Sequence, residues 1–233
     1  MTKIFEQGQI KEAAAILKRG GTVIFPTETV YGLGARYDDE KALEKIFIAK
    51  GRPRDNPLIL HIYTREQVAR LVEEVPEKAS LLMKRFWPGP LTLICKKRPE
   101  ISSTISGGLD TVAIRMPANE VALDLLKEVG LPLAAPSANL SGRPSPTSQE
   151  HLDDMLGRVD AIVYGGDTAV GIESTVVDMT KEPPLLLRPG KVSLEELEEV
   201  VGEIGLGINK NENYASPGLK YRHYAPETPL VLL

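Results

Sequence analysis

The chain has 233 residues, of which 42% are hydrophobic and 26% are charged, and its formal net charge is −4. This size suits one large domain, or one domain with a tail, in an ordinary globular protein. No window approaches about 18 consecutive apolar residues, and the N-terminus lacks the basic-then-apolar order of a secretory signal, so we expect no membrane segment and a cytoplasmic location. The single cysteine, Cys95, excludes a disulfide framework and is expected to be a buried structural thiol.

Apolar periodicity predicts alternating helices and strands along the chain. Helices are predicted over residues 10–19, 39–50, 76–87 and 119–129, and after capping signals at Thr64, Thr147 and Ser193. Strands are predicted over residues 22–25, 58–63, 91–96, 111–116, 161–164, 174–178 and 185–187, with a further apolar run at 131–135. Both hairpin-like and crossover-like spacings occur, which predicts an α/β domain with a mixed sheet rather than a purely parallel one.

Residues 49–57 place Lys50, Arg52 and Arg54 beside a glycine and two prolines, directly before an apolar run. Because proline fixes φ and lacks a backbone donor, this segment is predicted to be a stiff loop that holds the three cations close together. Like charges held side by side suggest a bound anion such as phosphate, although a solvated basic turn has the same composition. A second loop, residues 135–146, is also rich in small donors and prolines, which favours the anion site.

Three further features bear on the chemistry. Residues 26–34 form a predicted loop with two threonines, a glutamate and paired glycines, but a third glycine for a dinucleotide fingerprint would fall at Tyr37. His61 lies in the middle of a predicted strand, where it is either a satisfied core residue or a ligand. Arg115 ends a predicted strand before Pro117, and this placement suggests a carboxylate or phosphate partner.

The C-terminal part changes character. Residues 207–214 are polar and without periodicity, as in a linker, whereas residues 216–226 alternate aromatic and cationic side chains, a pattern suited to closing over an anionic or planar ligand. Residues 229–233 have the composition of a buried strand. We therefore expect a catalytic domain at residues 1–206, a linker or lid at 207–228, and at 229–233 the start of a C-terminal domain that is otherwise missing.

Taken together, five motifs in this order resemble the YrdC-type threonylcarbamoyl-AMP synthases, in their longer, two-domain form. The resemblance covers about residues 8–205 and rests on residues 26–34, Lys50-Gly51-Arg52-Pro53, residues 136–142, residues 174–178 and Arg188-Pro189-Gly190. It implies a twisted, mixed β-sheet flanked by helices that forms a concave nucleotide site. It also implies synthesis of threonylcarbamoyl-AMP from L-threonine, bicarbonate or CO2, and ATP, with release of pyrophosphate. Other proteins would then transfer the threonylcarbamoyl group to an adenosine beside the tRNA anticodon.

The resemblance also implies roles for particular residues. The family's signature of Lys, Arg, Ser and Asn is matched by Lys50, Arg52, Ser137 and Asn139, which are the expected catalytic residues. ATP contacts would fall on Arg52, Asn56, Thr111, Ser137, Ser145, Arg188 and Tyr224. L-threonine contacts would fall on Thr29, His61, Arg115, Ala135 and Ser174. Mg²⁺ is expected with ATP, on phosphate oxygens and water rather than on protein ligands.

Three other interpretations stay open. An RNA-binding module of the same fold is disfavoured by the negative net charge, so any direct binding of tRNA is expected to be weak. A carbamoyl-transferring enzyme of the hydrogenase-maturation type would carry zinc-binding cysteine clusters, which a single cysteine argues against. A paralogue without synthase activity is disfavoured by the intact four-residue signature.

Overall fold

The computed structural model describes residues 1–207, and within them eleven strands form one mixed sheet. The strands are β1 Lys3–Phe5, β2 Val23–Phe25, β3 Gly32–Arg36, β4 Ile59–His61, β5 Leu91–Lys96, β6 Thr111–Arg115, β7 Leu133–Ala134, β8 Ala161–Val163, β9 Thr175–Asp178, β10 Leu185–Arg188 and β11 Gly205–Leu206. Their order in the sheet is β1-β8-β2-β3-β7-β4-β6-β5-β9-β10-β11. Parallel and antiparallel pairs both occur, which confirms the predicted mixed α/β fold.

Helices cover both faces of the sheet. They are α1 Ile10–Lys18, α2 Glu40–Lys50, α3 Glu77–Phe86, α4 Ser103–Ser106, α5 Glu120–Val129 and α6 Leu194–Val201, with 3-10 helices at Gln7–Gln9, Arg65–Arg70 and Gln149–Met155. Side chains alternate across β2: Val23 and Phe25 join a buried cluster with α1 and α5, whereas Ile24 joins the larger cluster with α2 and α3. The two hydrophobic cores therefore lie on opposite faces of one sheet. None of the helices in the described part of the chain is long and apolar enough to cross a membrane.

The registers at the centre of the sheet decide which residues meet. Strands β4 and β6 run parallel, with His61 directly beside Arg115. On the other side of β4, antiparallel β7 pairs Leu133 with His61, and the chain continues from β7 into the loop that carries Ala135 and Ser137. Two predicted substrate residues thus become neighbours through strand register alone.

Helix α2 delivers the predicted basic motif. Asp39 caps its N-terminus by accepting hydrogen bonds from the amides of Lys41 and Ala42. Gly51 ends the helix in the left-handed conformation, at φ 59°, where a side chain would be strained. Lys50 is therefore the last helical residue, and Arg52 follows immediately after the turn.

Some expectations were wrong in detail. Gly32 and Gly34 belong to β3 and not to a loop, because they pair with β2 and let the Phe25 ring approach: a Cβ atom on Gly34 would lie 2.7 Å from Phe25 Cε1. The helix predicted after Thr147 is a 3-10 helix whose N-cap is Ser148, with no side-chain cap bond. The short strands β1 and β11 have no clear apolar alternation and were not predicted. The linker, the lid and residues 229–233 lie outside the described residues.

Candidate active site

A cavity opens beside the carboxyl ends of β4 and β6 and gathers residues from most of the sequence motifs. Its lining comes from the loops after β2, α2 and β7, from β3, β4, β6 and β10, and from the residues just before β9. The lining residues are Thr27, Val30, Gly32, Arg52, Ile59, His61, Arg115, Ala135, Pro136, Ser137, Glu173, Ser174 and Arg188. Motifs far apart in the chain therefore meet at one concave site, and seven of the residues predicted to act on substrates line it: Arg52, His61, Arg115, Ala135, Ser137, Ser174 and Arg188.

Arg115 is held at one end of this cavity by two residues of the 26–34 segment. Its Nη1 donates a hydrogen bond to Thr29 Oγ1 at 2.8 Å, and its Nη2 lies 2.7 Å from Glu28 Oε1 in a buried ion pair. That contact is electrostatic rather than a well-aligned hydrogen bond, since neither carboxylate oxygen of Glu28, nor Nε or Nη2 of Arg115, has a hydrogen-bond partner in the described part of the chain. The ion pair pairs the two charges with each other, which leaves Arg115 Nε and Glu28 Oε2 as the atoms of this pair without a partner in the described part of the chain.

His61 lies beside Arg115 and is neutral at physiological pH. Burial, together with a smaller effect of the positive charge of Arg115, lowers its pKa to about 3. Its Nδ1 lies 3.2 Å from the carbonyl oxygen of Ile59, so that nitrogen carries the proton and Nε2 is the acceptor. The site thus offers a hydrogen-bond acceptor without a second positive charge next to Arg115.

Ser174 and Arg188 form a second group on the cavity wall. Arg188 Nε donates to the Ser174 carbonyl oxygen at 3.0 Å, and its Nη2 donates to Ser174 Oγ at 3.1 Å. Ser174 Oγ also lies 2.8 Å from Thr92 Oγ1, which anchors it to β5. Arg188 Nη2 lies 3.8 Å from Glu173 Oε2, and Ser145 Oγ donates to Glu173 Oε1 at 2.5 Å. Two residues predicted to bind ATP therefore contact one carboxylate.

Lys50 is buried beneath the cavity and holds the loop after β7. Its Nζ donates to the backbone carbonyl oxygen of Ser137 at 2.6 Å and to that of Asn139. Ser137 Oγ in turn donates to Asn139 Oδ1 at 2.6 Å. Burial holds the pKa of Lys50 well below its usual range, and the charge of Arg52 acts in the same direction. Lys50 does not line the cavity, and its contacts make it a support for the loop that carries Ser137 and Asn139.

The three cations of the basic motif do not all point to one place, which corrects the prediction for Arg54: Lys50 and Arg52 are close enough to interact, whereas Arg54 points away from them. Arg52 turns inward, and its guanidinium donates to the carbonyl oxygens of Asn56 and Pro57 at 3.2 and 2.8 Å. Arg54 points to solvent with 73% of its side chain exposed and pairs with Glu44 at 2.5 Å. Only Arg52 reaches the cavity, because Gly51 reverses the chain between a buried helix end and a surface turn.

Besides Lys50, four of the predicted ATP and catalytic residues in the described part of the chain lie away from the lining. Asn56 is buried next to Arg52, with its Oδ1 unpaired in the described part of the chain. Ser145 reaches the cavity only through Glu173, and Asn139 only through Ser137. Thr111 starts β6, whereas Arg115 ends it, which separates their Cα atoms by roughly 13 Å along the strand. The predicted contact of Tyr224 lies outside the described residues.

Sequence reasoning gave no role to two carboxylates of this site, Glu28 and Glu173. Both lie next to predicted substrate residues, in the segments Thr27-Glu28-Thr29 and Glu173-Ser174-Thr175, and each pairs with an arginine. The sequence feature that could have identified these two carboxylates is their position next to residues with a predicted role. Within residues 1–207, no cluster of three or more His, Cys, Asp or Glu side chains could hold a metal ion. Cys95 is buried on β5, and burial raises the pKa of its thiol to about 12, as expected of a structural cysteine.

Comparison with known families agrees with the motifs. The family model Sua5_yciO_yrdC, described as "Telomere recombination", matches residues 15–190. The chain belongs to this family. A second model, described as "Threonylcarbamoyl-AMP synthase, C-terminal domain", matches residues 192–233. The resemblance drawn from the five motifs is therefore confirmed, whereas the proposed domain boundaries at 206 and 228 stay predictions.

Two curated relatives from different organisms carry the same name. The chain is 53% identical to the threonylcarbamoyl-AMP synthase of Pyrococcus abyssi, over 98% of its own length and 68% of that protein's. It is 54% identical to the protein of that name from Bacillus subtilis, over 96% of its length and 66% of that protein's. The crystal structure of P. abyssi Sua5 complexed with L-threonine superposes with a TM-score of 0.93 at 51% identity, covering 97% of this chain and 69% of that one. The chain thus spans about two thirds of the length of these relatives.

Proposed function

We propose that this protein makes threonylcarbamoyl-AMP from L-threonine, bicarbonate or CO2, and ATP, and releases pyrophosphate. The product would supply the proteins that modify an adenosine beside the tRNA anticodon, an activity expected in the cytoplasm. The observation that carries the proposal is Arg115: a buried cation on the cavity wall, whose guanidinium group is oriented by Glu28 and Thr29. The names of the relatives, and the L-threonine bound to P. abyssi Sua5, support the same assignment.

The amino-acid end of the cavity suits threonine in three respects. A guanidinium binds a carboxylate through parallel hydrogen bonds, so Arg115 is the natural partner of the threonine carboxylate. His61 Nε2 and Ser174 Oγ can pair with the threonine hydroxyl or amine. Ala135 closes the same end with a small side chain and a backbone carbonyl.

The nucleotide end has a different composition, which suits phosphate. Arg52 and Arg188 line it together with Ser137, whose hydroxyl is oriented by Asn139. Arginine favours phosphate because its planar donors match the phosphate oxygens. These residues neutralise charge and position groups, which is what phosphoryl chemistry requires of a protein.

The reaction follows from placing the two ends next to each other. The neutral amine nitrogen of threonine bonds to the carbon of CO2 and loses a proton, which gives a carbamate. A carbamate oxygen then bonds to the α-phosphorus of ATP in line, and the bond from that phosphorus to the bridging oxygen of pyrophosphate breaks. No covalent bond to the protein is needed, so the absence of a nucleophile from the proposed steps is consistent with a buried, unreactive Cys95.

Mg²⁺ would enter with ATP. Since the described residues contain no cluster of metal-ligating side chains, phosphate oxygens and water would supply most of its coordination. Its contribution would be to offset phosphate charge, while Arg52, Arg188 and Ser137 hold the phosphate oxygens in place.

Pyrophosphate release measured with single substrates omitted tests the proposal. With ATP and Mg²⁺ present, pyrophosphate release should require both L-threonine and bicarbonate. The Arg115→Met variant should not show this release. Release that needs neither would identify a simple ATPase. Binding of tRNA with a steep salt dependence and no consumption of ATP would instead support the RNA-binding interpretation.

A further inference from the structure

Glu173 lines the cavity but has no role in the proposed chemistry. Its side chain is 19% exposed, and it lies two residues before β9 at the proposed nucleotide end. Ser145 Oγ donates to its Oε1 at 2.5 Å, and Arg188 Nη2 lies 3.8 Å from its Oε2. A carboxylate therefore contacts two of the residues that the nucleotide is predicted to need.

A nucleotide that binds to Ser145 and Arg188 would compete with the contacts that Glu173 makes to these two residues. A serine hydroxyl has a single hydrogen to donate, so Ser145 can serve Glu173 or a ligand oxygen but not both at once. A carboxylate and a phosphate also make similar demands on an arginine, and placing the two anions side by side is unfavourable. Glu173 thus resembles an internal substitute for an anionic ligand group.

The backbone around Glu173 is fixed, which leaves its side chain as the part that moves. Gly190 packs so closely that a Cβ atom there would lie 2.7 Å from the Glu173 carbonyl oxygen. The next residue, Ser174, is anchored by Thr92 and by Arg188 Nε. Because the side chain of Glu173 is partly exposed, rotation about its own bonds can carry the carboxylate away without moving the loop.

We propose that Glu173 is a displaceable positioning residue that occupies the phosphate end of the cavity and holds Ser145 and Arg188 ready until phosphate groups replace it. The inference rests on the proposed function, because it assumes that Ser145 and Arg188 receive a nucleotide. This arrangement lowers the affinity for the ligand. A ligand that must first displace Glu173 binds more weakly, because only the fraction of molecules in which the carboxylate has moved away can bind it.

Binding titrations with Glu173→Gln test this. Glutamine removes the charge that competes with phosphate for Arg188 but keeps an oxygen that accepts from Ser145, so ATP and inorganic pyrophosphate should bind more tightly, by up to about tenfold if the carboxylate occupies the site in about nine of ten molecules. Adenosine, which has no phosphate, should bind with unchanged affinity. Glu150→Gln is the matched control, since it removes the same charge from an exposed position nearby and should change nothing.

The outcomes separate the inference from the proposed function. Wild-type protein that binds ATP, with equal or weaker binding by Glu173→Gln, would overturn the inference alone. Weaker binding only when Mg²⁺ is present would overturn it too, by identifying Glu173 as a metal ligand. If neither protein binds ATP or pyrophosphate, the proposed function fails as well. Melting temperatures of both variants check folding, and Glu173→Asp, which keeps the charge but is too short to span both partners, should show a smaller gain.

Discussion

The two ends of the cavity are built differently. At the proposed amino-acid end, His61 and Arg115 lie side by side on neighbouring parallel strands, because the strand register pairs them. At the proposed nucleotide end, Arg52, Ser137 and Glu173 lie on loops, and Arg188 is the last residue of β10. The first end takes its geometry from backbone pairing in the sheet, whereas the second takes it from side chains that bond to backbone carbonyls.

This difference explains what the buried cations do. Arg115 pairs with two side chains, Glu28 and Thr29, and lines the cavity. Lys50 Nζ donates hydrogen bonds to the backbone carbonyl oxygens of Ser137 and Asn139. Arg115 lies on a strand and can contact a ligand in the cavity, whereas Lys50 stabilises the conformation of the loop after β7.

Substrate analogues should show the largest effect, at the amino-acid end. A rigid site that pairs the threonine hydroxyl is left with unpaired buried groups when the hydroxyl is missing. We expect 2-aminobutyrate to lose roughly 10⁴-fold in kcat/KM, and serine, which lacks only the methyl group, roughly 10²-fold. Competition assays of pyrophosphate release measure both. Equal discrimination against the two analogues would contradict a paired hydroxyl.

Removal of Arg115 should have the next largest effect. Arg115→Met leaves the buried Glu28 carboxylate without a counter-charge, which should lower the free energy of unfolding by about 3–5 kcal/mol. The double variant Arg115→Met with Glu28→Gln should recover most of that loss yet still fail to bind threonine. Urea unfolding and threonine titration measure the two properties separately. If the double variant is no more stable than the single one, the ion pair is not the cause.

Lys50→Met probes the loop-built end. Two buried carbonyl oxygens would lose their donor, so we expect a loss of about 1–3 kcal/mol in the free energy of unfolding, together with weaker ATP binding. Arg54→Met is the matched control from the same motif. Its exposed pair with Glu44 contributes about 0–1 kcal/mol. Denaturant unfolding of the two variants side by side tests the comparison, and equal losses would refute it.

The smallest effect, when taken over a single pH unit, should be the dependence of stability on pH. Because the pKa of His61 is lowered to about 3 in the folded protein, the unfolded chain takes up a proton below its ordinary pKa of about 6.5 while the folded one does not. Stability from this group is thus complete above about pH 6.5 and falls as the pH falls, by up to about 1.4 kcal/mol per pH unit. His61→Gln should flatten the slope between pH 6.5 and 4.5 in unfolding experiments, whereas the exposed His151→Gln should not.

The sequence was a good guide to elements but not to the direction of side chains. Most helices and strands were predicted within one or two residues, since their apolar spacing and caps are local features. The basic motif was misjudged for the opposite reason. Nothing in its spacing says that Lys50 faces a backbone loop, that Arg52 faces a cavity and that Arg54 faces water, because these directions depend on the turn at Gly51 and on what packs around it.

Sequence alone determined the α/β fold, the family and most of the residues that meet at the cavity, because periodicity and ordered motifs are properties of the chain itself. Only the tertiary structure determined which side chains form ion pairs and hydrogen bonds with one another. Glu28 and Glu173 became the counter-charges of Arg115 and Arg188, and Lys50 became a support, through contacts between segments that the sheet order brings together. Such contacts join residues distant in the chain, so no local pattern records them.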